Sequence, residues 1–369
     1  YFEDIVEDFK MQKTKIFSMM LAVSIIPSFI LKSIFTPLKN NLAIAAILFS
    51  SGSEGSPKGV MLNNRNILSN IAQISDVLCT RNNDVILSSL PPFHAFGLTV
   101  TTILPLLEGI KSITFSDPTD ALGVAKAVAK NNVTIMCGTS TFLGIYARNK
   151  KLDALMFESL RIVVSGAEKL KNEVRTAFEM KFKKSIFEGY GATETTPVAS
   201  VNLPNRFDAD YWLIHRANKE GSVGMPLPGT AVHIVDPNNY ENLKTNEDGL
   251  ILIGGHQVMV GYLNDKEKTD EVIKEIDGIR WYNTGDKGHL DEDGFLYIVD
   301  RYSRFAKIGG EMISLGAIEE EIAKFIDTEV VKFCATSLED EKKGEQIALL
   351  IECNNEIFER VCEAIKNSN

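Results

Sequence analysis

The sequence predicts an α/β protein of layered sheets, with a small β-rich subdomain and a small α+β C-terminal lobe. Three observations carry this. From about Ala43, continuous apolar runs of strand length alternate with helical patterns, the mark of parallel strands covered on both faces. After about Gly221, short strands and tight turns take over. After Arg304, helix, strand, strand and helix follow in turn.

The strands expected first are 45–49, 85–90, 134–137 and 160–164. Helical spacing of apolar residues places helices over 66–78, 121–131 and 172–182. In the β-rich part, strands are expected at 231–235, 249–253 and 294–299, with Asp248-Gly249, Asp277-Gly278 and Asp293-Gly294 marking turns. The last segment predicts a helix over 315–326, strands over 329–336 and 346–352, and a helix over 354–366. Residues 1–302 are accordingly assigned to a large N-terminal domain, with its β-rich part at about 221–302, and 303–369 to the C-terminal lobe. Fourteen acidic and six basic residues after position 310 make that lobe carry most of the negative charge.

The chain of 369 residues has a formal charge of −10, which makes it a poor candidate for non-specific nucleic-acid binding. Its 5 cysteines form no CxxC pair, so a disulfide framework is not expected and a reducing, cytoplasmic setting fits. The 5 histidines lack metal-ligand spacing, so no zinc site is expected. The uncharged run 16–31 is shorter than the ~20 apolar residues a spanning helix needs and contains Pro27. It reads as a helix packed in the interior or on another domain, with a membrane segment or a membrane-surface contact as the alternatives.

Three motifs carry chemistry. Ser50 to Gly59 (SSGSEGSPKG) follows a strand and precedes a helix. Small residues let backbone N–H groups approach an anion, and hydroxyls and Lys58 add donors and a cation. It is not a Walker A loop, because no Gly-Lys-Ser/Thr closes it. Glu188 to Thr195 (EGYGATET) offers the flat face of Tyr190 to a base, and Glu194 as a hard oxygen ligand for Mg²⁺. Trp281 to Gly288 (WYNTGDKG) places Asp286 after a Thr-Gly pair, where it either accepts from ribose hydroxyls or shapes a hairpin turn.

These motifs, in this order, with Asp300 to Glu311 (DRYSRFAKIGGE), resemble the adenylate-forming superfamily of acyl-CoA synthetases, luciferases and adenylation domains. Glu54 within the first motif, Leu90 to Thr99 (LPPFHAFGLT), Gly138 to Gly144, Ser165 to Leu170 and Arg304 to Met312 narrow it. They resemble the synthetase part of bacterial bifunctional 2-acylglycerophosphoethanolamine acyltransferase/acyl-acyl carrier protein synthetases. The resemblance implies ATP and Mg²⁺ as cofactors. It also implies activation of a long-chain fatty acid as acyl-adenylate and transfer to acyl carrier protein, feeding a lysophospholipid. An acyl-CoA ligase and a nucleotide-binding module without turnover are the alternatives.

By the resemblance, Ser50, Ser51, Gly52, Ser53, Glu54, Gly55 and Lys58 surround the β- and γ-phosphates. Thr193 contacts phosphate and Glu194 holds Mg²⁺. Gly166, Ala167, Tyr190 and Gly191 flank the adenine, and Asp286 and Arg301 hold the ribose. His94 lies beside the carboxylate, and the acid-free stretch around it favours a fatty acyl group, with 93–107 and 139–147 lining an apolar slot. Ser303 matches the hinge of the C-terminal lobe, Lys307 a lysine of the thioester-forming step, and Gly310 the pantetheine tunnel. The terminal Gly-Lys motif that supplies the adenylation lysine is not found, and neither is an HxxxxD acyltransferase motif. The chain is therefore expected to be incomplete at both ends and to adenylate weakly. The full-length parent is expected in the cytoplasm, at the cytoplasmic face of a bacterial inner membrane.

Overall fold

Six strands between Val85 and Val201, with a seventh at Met225–Pro226, assemble into one sheet in a computed structural model of the chain. The structure describes residues 14, 17–18, 21, 24–27, 30, 41–50, 57–308, 311–324, 326, 331–340, 344–353 and 358. The sheet contains β3 (Val85–Ser88), β4 (Lys111–Thr114), β5 (Ile135–Gly138), β6 (Ile162–Ser165), β7 (Ile186–Gly191), β8 (Val198–Val201) and β11 (Met225–Pro226). Their order is β11-β8-β7-β6-β5-β3-β4. The pairs from β4 through β7 are parallel, and β8 and β11 add antiparallel at one edge.

The strands β3, β5 and β6 are covered on both faces, which is why they are largely apolar rather than alternating. Ile86, Ile135, Ile162 and Phe187 face a cluster shared with helix α1 (Asn64–Leu78). Leu87, Met136, Val163 and Ile186 face the opposite one. There they pack with α3 (Ala121–Asn131), α4 (Ser140–Arg148) and α5 (Asn172–Phe182). The short α2 (Leu104–Glu108) follows a π-helix over Phe96–Ile103.

Helix α1 is placed by its polar residues. Asn63 and Asn66 cap it reciprocally, at 2.8 and 2.9 Å. Asn70 completes the edge of β8, donating to the Val198 carbonyl (2.7 Å) and accepting its N–H (3.1 Å).

A second sheet pairs β1 (Ile44–Ser50), β2 (Lys58–Asn63) and β14 (Gly261–Tyr262). A short hairpin joins β9 (Arg206–Asp208) to β10 (Leu213–His215). The β-rich part contains β12 (Ala231–Val235), β13 (Gly249–Gly254), β15 (Ile273–Ile276), β16 (Ile279–Leu290) and β17 (Leu296–Arg301), with α6 (Lys266–Val272) before β15. The last sheet has the order β19-β18-β21-β20, from β18 (Phe305–Ile308), β19 (Glu311–Ser314), β20 (Lys332–Asp340) and β21 (Gly344–Glu352), with α7 (Leu315–Ala323).

Several expectations are corrected. The Ser/Gly motif does not run into a helix: β2 intervenes, because Gly59 to Leu62 is strand sequence paired to β1, and α1 begins only at Asn64. Trp281 to Gly288 lies inside the 12-residue strand β16, and the expected Thr-Gly turn before Asp286 is a bulge within that strand. Helix α7 ends at Ala323, three residues short of the expected end. Apart from the expected boundary near 303, the chain divides into two compact units, residues 1–43 and 44–369. Most of 16–31 lies outside the described residues; within it Phe17, Leu21 and Ile25 are helical and exposed. Among the described residues no helix is long and apolar enough to cross a membrane. Residues 354–366 fall almost wholly outside the described set.

Candidate active site

The C-terminal ends of β5, β6 and β7 open into a cavity of about 1200 Å³ that also reaches β1, β2 and β16. In parallel sheets, ligands bind beyond these strand ends. One wall is the start of the β1–β2 hairpin, whose register sets Ser50 opposite Lys58. Both line the cavity. Residues 51–56, and with them Ser51, Gly52, Ser53, Glu54 and Gly55, lie outside the described residues.

Beside this wall stands Glu194, in the short helical turn Thr193–Thr195 that follows β7. It is 7% exposed and accepts a hydrogen bond from the Tyr262 hydroxyl at 2.9 Å. The Tyr262 ring in turn lies 5.7 Å from the Lys58 ammonium. Burial, then the Glu194 charge and hydrogen bond, push the Tyr262 phenol well above its ordinary range, so it stays a donor. Sequence reading missed Tyr262. Its place follows from strand register, because β14 pairs Tyr262 with Val60, two residues beyond Lys58. No local motif encodes that pairing.

The opposite wall is built by a bulge. Leu250 pairs with Lys287 and Leu252 with Asn283, so Thr284, Gly285 and Asp286 oppose a single residue of β13. Gly285 takes φ +70°, a left-handed turn, and the Asp286 N–H donates to Thr284 Oγ1 at 3.0 Å. Asp286 Oδ2 accepts from the Tyr190 hydroxyl at 2.5 Å, and Oδ1 meets Arg301 Nε at 3.1 Å. Arg301 reaches it because β17 pairs Arg301 directly with Asp286. Burial raises the Asp286 carboxyl above its ordinary value, while Tyr190 and Arg301 pull it down. Both oxygens keep lone pairs that can accept from a vicinal diol.

Between these walls run two stretches of unusual backbone. Ala167 is left-handed at φ +68°, a costly conformation for a residue with a Cβ. A Cβ on Gly191 would meet the Pro197 carbonyl oxygen at 1.8 Å, so only glycine fits there. Gly166, Ala167, Tyr190, Gly191 and Thr193 all line the cavity. Ser165 Oγ, at the end of β6, is buried and has no partner among the described residues.

The rest of the cavity is aliphatic. Ile74, Val77 and Leu78 of α1, Ile86, Ile135 and Cys137 of the sheet, and Val100, Val198, Val201 and Leu203 form its lining. His94 is exposed, 4.8 Å from the Phe93 ring, and lines the cavity just before the π-helix. Of the runs expected to line a slot, 93–107 contributes His94 to Gly97, Val100 and Leu104, and 139–147 contributes Thr139 and Phe142. The contribution of α1 was not legible, since its apolar stripe has the spacing of any core helix.

Eleven expected residues are therefore brought to one cavity, and their chemistry fits a magnesium nucleotide. Asp286 and Arg301 suit a ribose, Lys58 and Ser50 a phosphate chain, and Glu194 a cation shared with phosphates. Lys307 lies in β18 opposite Met312, and its side chain and Gly310 fall outside the described set. Ser303 is exposed in the turn Tyr302–Arg304.

A family model described as "AMP-binding enzyme" matches residues 29–263. The chain is 32% identical over 311 residues to the long-chain-fatty-acid–CoA ligase of Salmonella typhimurium, covering 84% of this chain and 52% of that protein. It is 33% identical over 307 residues to 4-coumarate–CoA ligase 3 of Oryza sativa subsp. japonica, covering 82% and 53%. It spans about half the length of these relatives. The crystal structure of ATP-bound MatB from Rhodopseudomonas palustris superposes with TM-score 0.73 at 26% identity, over 90% of this chain and 63% of that one. The layered α/β architecture is thus that of adenylate-forming enzymes.

Proposed function

This chain belongs to the AMP-binding enzyme family, and on that premise we propose that it serves ATP-dependent activation of a long-chain fatty acid as acyl-adenylate. The observation that carries the reading is a single cavity that joins ribose, phosphate and cation groups to a long aliphatic slot. In the reaction, a carboxylate oxygen of the acid bonds to the α-phosphorus of ATP, and the bond to pyrophosphate breaks. A thiol then attacks the acyl carbon and AMP leaves. Asp286, steadied by Arg301 and Tyr190, accepts from the ribose hydroxyls. Lys58, Ser50 and Thr193 face the phosphates, and His94 the carboxylate. Glu194 would hold Mg²⁺, which neutralises charge building on phosphate oxygens.

The acceptor we propose is acyl carrier protein, on the likeness of Glu54 and 304–312 to bifunctional acyltransferase/acyl carrier protein synthetases. In that reading, a C-terminal lobe hinged at Ser303 brings Lys307 to the thioester step. The acyl group then passes to a lysophospholipid at the inner membrane. The second reading is coenzyme A as acceptor, favoured by the relatives named as CoA ligases. Palmitate-dependent ATP–pyrophosphate exchange in the full natural protein, followed by acceptor addition, separates them. Acylated carrier protein with CoA inert supports the first, and palmitoyl-CoA as the preferred product supports the second. ATP binding without exchange for any acid leaves a nucleotide-binding module and overturns both.

A further inference from the structure

The short helical turn that carries Glu194 is gripped by one distant stretch of chain. Met259 donates its N–H to the Glu194 carbonyl at 2.8 Å, and Thr196 Oγ1 donates to the Gln257 carbonyl at 2.6 Å. The same stretch then runs through β14, where Val260 donates its N–H to the Met61 carbonyl (3.0 Å) and Leu263 to the Gly59 carbonyl (2.7 Å). Residues 257–263 thus bridge the cation wall to β2, the strand that begins at Lys58. Tyr262 is the side chain that this bridge delivers between them. It is 5% exposed, yet it lines the cavity. Its backbone is fixed from α6: its N–H donates to Thr269 Oγ1 at 2.8 Å, and that hydroxyl donates to the Asp265 carbonyl at 2.7 Å.

We propose that Tyr262 is a positioning residue that aims the Glu194 carboxylate at the cation. Its hydroxyl occupies Oε1 at 2.9 Å, and Oε2 has no partner among the described residues. A glutamate side chain has several rotatable torsions, and a charge-assisted hydrogen bond to one oxygen fixes the plane in which the other is offered. The hydroxyl is a dependable donor. Burial, the Glu194 charge and hydrogen bond, and the charges of Glu271 and Asp265 all oppose its ionisation. The ring meanwhile lies 5.7 Å from the Lys58 ammonium, a cation–π distance. One side chain therefore sets the spacing between the phosphate-facing cation and the metal-facing carboxylate. Outer partners of this kind orient metal ligands, and their loss costs about 10–100-fold in metal affinity. The inference rests on the reading of Glu194 as the cation ligand.

Mn²⁺·ATP is the probe, because its bound and free forms differ in electron paramagnetic resonance. Tyr262→Phe keeps the ring and its packing and deletes only the hydroxyl. In the 369-residue chain it should weaken Mn²⁺·ATP binding about tenfold. AMP affinity measured in EDTA, which reads the Asp286 wall, should stay within about twofold of wild type. Glu194→Gln should weaken Mn²⁺·ATP at least as much. In the double variant, loss of the hydroxyl should cost less than about twofold beyond Glu194→Gln alone, because it acts only through that carboxylate. In the full natural protein, Tyr262→Phe should raise the Mg²⁺ concentration for half-maximal pyrophosphate exchange about tenfold, with the rate at saturating Mg²⁺ within about threefold of wild type. If Glu194→Gln weakens Mn²⁺·ATP and Tyr262→Phe does not, the positioning role is overturned and the cation reading stands. Equal losses of Mn²⁺·ATP and AMP affinity in Tyr262→Phe would show packing alone and overturn it too, as would full additivity in the double variant. Unchanged Mn²⁺·ATP affinity in Glu194→Gln would overturn the cation reading and this inference with it.

Discussion

The two ends of the central sheet are built to opposite standards. At the N-terminal ends of β3, β5 and β6, one buried carboxylate, Asp84, gathers four donors. Asp84 Oδ1 accepts from Thr134 Oγ1 (2.7 Å) and Arg161 Nε (2.8 Å). Asp84 Oδ2 accepts from Arg161 Nη2 and from the Arg81 N–H (2.7 Å). The three residues directly before three parallel strands are thereby stitched together. At the C-terminal ends, Ser165 Oγ is buried with no partner among the described residues, Ala167 is left-handed, and Asp286 sits in a bulge with its carboxyl raised by burial. One end is tied by a shared carboxylate, while the other carries strained backbone and opens into the large cavity. The contrast shows where the fold is held and where it is left free for a ligand to complete.

Substitutions at the two ends should separate activity from stability. The largest effect is expected from Glu194→Gln. Removing the charge at the cation position should slow pyrophosphate exchange by about 10²–10³-fold, while the urea midpoint stays near wild type. A large stability loss with activity retained would reverse the assignment of the two ends.

Asp84→Ala should do the opposite. It leaves the partly buried Arg161 guanidinium without its carboxylate and should destabilise by about 2–3 kcal/mol, with nucleotide affinity unchanged. The pH dependence sharpens this. Burial pushes the Asp84 carboxyl up, but hydrogen bonds from Arg161, Thr134 and the Arg81 N–H outweigh it and hold the group at about 2, against an ordinary 3.8. A depressed folded value means that the stabilisation is whole above 3.8 and is lost as pH falls toward 2. Urea titrations through that window should show a decline in the wild type that Asp84→Ala lacks.

Tyr190→Phe should weaken AMP binding about 5–10-fold, by deleting one donor to a buried carboxylate. The hydroxyl lowers the Asp286 value, so its removal lets burial raise that value further. The acid limb of the exchange rate should then move to higher pH. An unmoved limb would mean that Asp286 does not govern it. Smallest is Cys137→Phe, which fills the slot rather than the polar walls. It should lower palmitate use relative to octanoate about tenfold, at a packing cost of about 1–3 kcal/mol.

The two ends were also unequally legible in the sequence. Helices α3 and α5 fall where apolar spacing puts them, at Ala121–Asn131 and Asn172–Phe182, because each buries one stripe against the sheet. Glu194, Asp286 and Lys58 stand out because small and polar residues cluster around them in short runs. What was hidden depends on register and on hydrogen-bond pattern. Tyr262 reaches Glu194 only through the pairing of β14 with β2. The bulge at Asp286 requires knowing that β13 pairs across it. The π-helix at Phe96–Ile103 has the same apolar composition as an α-helix, and the clue lies in Gly97, whose carbonyl takes the hydroxyls of both Thr101 (3.0 Å) and Thr102 (2.9 Å).

The central claim is that the polar walls and the aliphatic slot are one site for one molecule. The most direct test is calorimetric titration of the chain with two non-hydrolysable acyl-sulfamoyl adenosines, palmitoyl and acetyl. If the slot receives the acyl chain, the palmitoyl compound should bind at least about 100-fold more tightly, and Asp286→Ala should weaken both. Equal affinities for the two compounds would show that the slot and the nucleotide walls are not used together, and would contradict the account.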